Sequence, residues 1–192
     1  MRAPSLGEIT YGVFGAWRLA RADKSGLAYF GDTTDAFWKS FFAAVLVAPA
    51  YAILVAIHLS SRTITSTWVE VLALEGLAYV IVWAAFPLAA HYVTQALDRA
   101  EHFIRFIVAY NWSQVIQMAV HLPVALLIAA GLVPPGLAGG LDLVVFMVLM
   151  LYRWYIARVA LDVSGGMAAL LIFLDLVISF LTISLANAAV ST

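Results

Sequence analysis

Between Phe37 and Asn187 the chain runs through five long apolar stretches, parted only by short polar, proline-rich or glycine-rich breaks. A bilayer core takes about 20 consecutive apolar residues per helix, and each stretch meets that length. The expected spans are about 37–59, 68–92, 103–132, 141–163 and 167–187. Few structures can bury five such segments. In hydrocarbon every backbone N–H and C=O must be satisfied internally, which a helix does within a single segment. The predicted fold is therefore all-α: a polytopic transmembrane helix bundle with an amphipathic cytoplasmic N-terminal segment over residues 1–36.

Composition agrees with that reading. Charged residues are 11% of the chain, hydrophobic residues are 65%, and mean hydropathy is +1.00, whereas a soluble domain carries about 25% charged residues. A net charge of -1 argues against nucleic acid as a partner and against a general polybasic attraction to lipid. There is no cysteine, which removes disulfides, thiolate ligands and cysteine nucleophiles together. Arg18 and Arg21 interrupt the apolar run that begins at Ile9, so a cleavable signal sequence is not expected there. In that segment Ile9, Val13, Ala16, Trp17 and Ala20 are expected on one helical face, as in a helix lying in the membrane interface. Gly31-Asp32-Thr33-Thr34-Asp35 reads as a helix start.

Lys and Arg set the orientation. With the N-terminus inside, Arg2, Arg18, Arg21, Lys24, Lys39, Arg99, Arg105, Arg153 and Arg158 gather on that side, against Arg62 alone outside. The expected arrangement is N-terminus cytoplasmic and C-terminus outside, in a bacterial inner membrane.

Polar groups inside the spans are the candidate site. On the third span Tyr110, Gln114, Gln117 and His121 return to one face within a sector of about 60°, with Asn111 beside it. Arg153 and Asp175 stand equally far from the break at Ser164, so the fourth and fifth spans place both roughly 15 Å from the inner end, and a salt bridge is expected. Glu75 lies about 10 Å from the outer start of its span, level with Gln117 and His121 on the third. A Glu75–His121 hydrogen bond is the expected pairing. The alanines at 44, 48, 52 and 56 form a small-residue ridge that allows close helix approach. No metalloprotease, serine-hydrolase or nucleotide-binding motif occurs. His91 and His102 flank Asp98 and Glu101 on a short polar loop, read as solvated surface. No metal, cofactor or catalytic residue is expected.

The segment from Val144 to Val177 joins an aromatic Tyr152-Arg153-Trp154-Tyr155 helix end and Arg158 to a Ser164-Gly165-Gly166 turn and a small-residue restart. With the five-span layout, this resembles the Yip-domain (Ypt-interacting-protein) family in its bacterial form, though the N-terminal Asp-Leu-x-Gly-Pro element of eukaryotic members is missing. The resemblance implies a membrane protein with no catalytic residues to carry over. The expected function is non-enzymatic, through contacts with the lipid bilayer, with other membrane proteins or with itself as a homo-oligomer. The alternative is a small transporter or channel lined by the third-span stripe.

Overall fold

The computed structural model describes residues 2–60 and 67–190, with Asn187 and Val190 described by backbone alone. Arg62, the single cation expected outside, lies beyond the described residues. Seven α-helices follow in order: α1 (Leu6–Ala20), α2 (Thr34–Ser40), α3 (Phe42–Ser60), α4 (Trp68–Ala96), α5 (Phe103–Ala129), α6 (Pro135–Leu161) and α7 (Gly165–Val190), with a 3₁₀ turn at Lys24–Tyr29. No strand occurs among the described residues. Counting α2 and α3 as one, five helices are long and apolar enough to cross a membrane.

The helix starts are built as the sequence signals predict. Thr33 caps α2 by accepting from the Ala36 N–H, with Asp35 in the first turn. At α4, Thr67 and Glu70 form a reciprocal capping box, so Glu70 closes a helix end and is not a charge stranded within a span. α6 begins earlier than expected. Gly136, Gly139 and Gly140 belong to the helix, because Pro135 at its first position is preset for helical φ and lacks only an N–H that would be unpaired there anyway. The turn shrinks to residues 130–134. α6 then stops at Asp162, which adopts a left-handed conformation (φ 51°).

α5 is the hub. All residues from Phe106 to Ser113 are buried, and eight successive helical positions cover every face. Its neighbours are α1, α2, α3, α4 and α6. α4, although joined to α5 in sequence, packs chiefly on α7. The long helices thus run α3, α5, α6, α7, α4 around the bundle, and tyrosines close the α3–α4 seam: Tyr51 donates to Glu75 at 3.1 Å and Tyr79 to the Ala44 carbonyl at 2.6 Å. The alanine ridge of α3 is not its buried face. Ala52 and Ala56 are exposed, and Ala43 and Val47 make the buried contact. Between α3 and α4 the contact is made by Tyr51 and Tyr79, whose rings lie 4.7 Å apart, and not by a small-residue seam.

α1 crosses the near end of the bundle, the end where α5 begins and α6 finishes. Its Glu8 meets Lys39 of α2 at 2.7 Å. Gly12 then lies against Trp112 of α5, the Ala16 carbonyl accepts from Tyr152 of α6, and the Ala22 carbonyl accepts from Tyr155, each at 2.7 Å. The buried set is Gly12, Gly15, Ala16 and Leu19, with Trp17 exposed. This corrects the expected grouping of Trp17 with Ala16: consecutive helical residues stand 100° apart, and the hub accepts the side with the smallest residues.

Candidate functional site

The polar residues of α5 point toward α6 and α7, where one cation gathers them. Arg153 donates from Nη1 to Asp175 Oδ2 at 2.8 Å, from Nε to Gln117 Oε1 at 2.5 Å, and from Nη2 to Gln114 Oε1 at 3.3 Å. Tyr110 donates its hydroxyl to the same Asp175 oxygen at 2.8 Å. Gln117 donates to Ser113, which donates to the Tyr110 carbonyl. Asp175 is 1% exposed, Gln117 3%, and the Arg153 side chain 19%. The planar guanidinium fork is what allows one side chain to bridge three acceptors on two helices. Two donors converge on Asp175 Oδ2, leaving Oδ1 buried without a partner.

This arrangement joins four of the eight sequence candidates, Tyr110, Gln114, Gln117 and Arg153, directly or through Asp175, the fifth. Asn111 is buried but belongs elsewhere: it donates to Ser40 Oγ at 2.8 Å, tying α5 to α2. Gln117, expected further out beside His121, reaches inward to Arg153 instead. The predicted Glu75–His121 bond does not form. Glu75 accepts from Tyr51, while His121 Nε2 lies 3.8 Å from Asp142 Oδ1 of α6. Helices adjacent in sequence pack side by side for α6 and α7, but α4 packs chiefly on α7 and only slightly on α5.

Ser40, Ser113, Tyr51 and Asp142 also take part, beyond the residues the sequence pattern points to. Ser113 had a legible signal, since 110, 113 and 117 share a helical face. Short hydroxyls are easily overlooked beside longer amides. Asp142 precedes the next charge of α6, Arg153, by eleven residues, at the i, i+3, i+7, i+10 register of Val145, Leu149 and Tyr152.

The His121–Asp142 pair differs from the Arg153 network in surroundings. Its side chains are 41% and 60% exposed. Yet the exposed residues of α5 in this half, Ala119, Val120, Pro123, Leu126 and Leu127, lie on the other side of the helix from His121. His121 thus points away from that exposed stripe, toward Asp142 of α6.

Two carboxyls of the N-terminal segment have perturbed titration. The Lys39 ammonium, with the Ser5 backbone and hydroxyl, holds the Glu8 carboxyl down to about 2. Ser25 and Arg18 hold Asp23 at about 2 in the same way. Both are ion-paired anchors of α1 and the turn that follows it.

What fold and site define together is an apolar five-helix bundle organised on an internal polar seam. The chain matches no family model, no curated protein and no solved structure.

Proposed function

We propose that the chain is an integral membrane protein without catalysis of its own, seated in a bacterial inner membrane with α1 and the near end of the bundle on the cytoplasmic side. It acts through helix contacts with itself, with lipids or with other membrane proteins, in membrane organisation or as an accessory subunit. Five apolar helices of 22 to 30 residues, against the ~20 that a bilayer requires, support the membrane setting. The cations of the near end support the orientation. The Yip-type resemblance fits this role, but the proposal does not depend on it.

The observation that carries the non-transporting reading is the closure of the Arg153 network. All three of its acceptors are protein side chains, and Gln117 is almost wholly buried. A permeation path would leave such groups to water or substrate. The second reading, a small transporter, draws on the exposure of the His121–Asp142 pair.

Single cysteines separate the two. In membranes, His121→Cys is expected to react with a water-soluble thiol reagent, and Gln114→Cys and Gln117→Cys are expected not to. Labelling at all three positions replaces the scaffold reading with the transport one.

A further inference from the structure

The near end carries a surface that the polar seam does not use. On α1, Thr10, Phe14, Trp17 and Arg21 recur at i, i+4, i+7 and i+11, opposite the buried Gly12, Ala16 and Leu19. A helix on the surface of a soluble protein turns polar residues outward. Here Phe14 and Trp17 are exposed, and so is the adjacent Tyr11. Tyr29 stacks edge-on to Phe14 at 5.1 Å and lies 6.2 Å from Tyr11, making a continuous aromatic strip.

Cations without acidic partners border this strip. Among the described residues Arg18 pairs with Asp23, Lys39 with Glu8 and Asp35, and Arg105 with Asp32. Arg21, Lys24 and Arg158 make no ion pair with any described residue. Two of them rest on tryptophans instead: Arg21 over Trp17 at 5.9 Å and Arg158 over Trp154 at 5.4 Å. The Tyr155–Ala22 hydrogen bond brings the α1 end to the last turns of α6, so Arg21, Lys24 and Arg158 gather at one corner. Ala22 is held there at φ 57°, a left-handed conformation that a residue with a Cβ adopts only at a cost. The acids of this end without a Lys or Arg partner, Asp98, Glu101 and Asp162, sit on the α4–α5 and α6–α7 turns.

We propose that α1 and the adjoining end of α6 form a binding surface for the phosphate headgroups of anionic phospholipids. Arg21, Lys24 and Arg158 supply the positive charge, and Tyr11, Phe14 and Trp17 lie at the headgroup–acyl boundary. The aromatic strip is what selects a lipid over a free phosphate, which has no use for it. Amphipathic helices with basic and aromatic residues bind in this plane, and each Lys or Arg near an anionic surface adds to the attraction. The inference rests on the membrane-spanning reading above.

The full chain is reconstituted into nanodiscs of phosphatidylcholine alone and of phosphatidylcholine with phosphatidylglycerol, and retained lipid is counted by native mass spectrometry. Preferential retention of phosphatidylglycerol is expected. The association should weaken about fivefold for each cation removed in the series R21Q, K24Q and R158Q. Trp17→Ala keeps every charge and should weaken it too. Equal retention of the two lipids, or a triple variant that behaves as wild type, overturns the proposal while leaving the membrane reading intact. Inorganic phosphate competing as well as the lipid does shows a free-anion site and overturns it also. Failure to enter either nanodisc removes the membrane reading and the lipid site with it.

Discussion

Two acid–base pairs join neighbouring helices of the bundle, and their surroundings differ sharply. In the near half Arg153 and Asp175 are 2.8 Å apart, with Asp175 fully buried and three further side chains bonded to the pair. In the far half His121 and Asp142 are 3.8 Å apart, both substantially exposed and with no third group joined to them. The difference follows from how the helices are held. In the near half α1 and α2 are added around α5, so eight consecutive residues of the hub are enclosed. In the far half those two helices are missing, and a groove of about 250 Å³ opens between α3 and α5, lined by Leu46, Val47, Ala50, Val115, Met118 and Pro123. A pair of charges is an organising element only where its neighbours exclude solvent.

The largest test of that contrast is at Arg153. Replacing it with Ala strands the buried Asp175 carboxylate, and breaking a buried pair in this way costs about 3–5 kcal/mol. Unfolding in mixed detergent micelles measures it. The double replacement R153M/D175L leaves no stranded charge and should recover most of the loss. A double variant as unstable as Arg153→Ala would mean that the two residues do not act as a pair, and the contrast between the halves would lose its stronger member.

How much of this could be read in the sequence depends on what each feature needed. Helix number and type needed only apolar length, and five long apolar helices were legible. The Arg153–Asp175 contact needed one assumption, that helices joined by a three-residue break lie side by side, and α6 and α7 do. Glu75 and His121 needed the same assumption about α4 and α5, which is wrong there because α4 packs on α7. The stripe on α5 was legible as a periodicity, but its partners were not. Gln117 lies one helical turn from His121 on α5, and the sequence alone does not fix that it meets Arg153 of α6. The packing face of α1 differs from the one its hydrophobicity predicts. The hub takes glycine and alanine, the residues that permit close approach, and leaves the bulky aromatics outside. A hydrophobicity pattern ranks those residues the other way round.

A second test addresses why the near half is closed. A Cβ built on Gly12 would lie 2.5 Å from the Trp112 ring, so Gly12→Ala must push α1 away from α5 or shift a buried indole. Overpacking of this kind costs about 1–3 kcal/mol, less than stranding a charge. Because the Tyr152 hydroxyl is bonded one helical turn away at Ala16, the same displacement should break that bond. The expected outcome is a lowered unfolding midpoint together with faster proteolysis in the Lys24–Tyr29 turn. A variant of wild-type stability with α1 still protected would show that α1 merely lies over the bundle and does not close it.

The smallest expected effect is the one on which the contrast turns. His121→Ala and Asp142→Asn remove one partner each from a pair in which both side chains are at least two-fifths exposed. Solvent-exposed ion pairs contribute about 0–1 kcal/mol, so either variant should unfold within that margin of wild type, and the double variant no lower than the sum. At 3.8 Å the Nε2–Oδ1 separation is also beyond a good hydrogen bond, which leaves only screened attraction to lose. A loss comparable with Arg153→Ala at either position would mean that the far half is enclosed in the membrane, by a second copy of the chain or by another subunit, and that solvent exclusion there comes from outside the monomer. The same variants then report on assembly: an enclosed pair should lose stability together with oligomeric state in a cross-linking assay, and an open one should leave both unchanged.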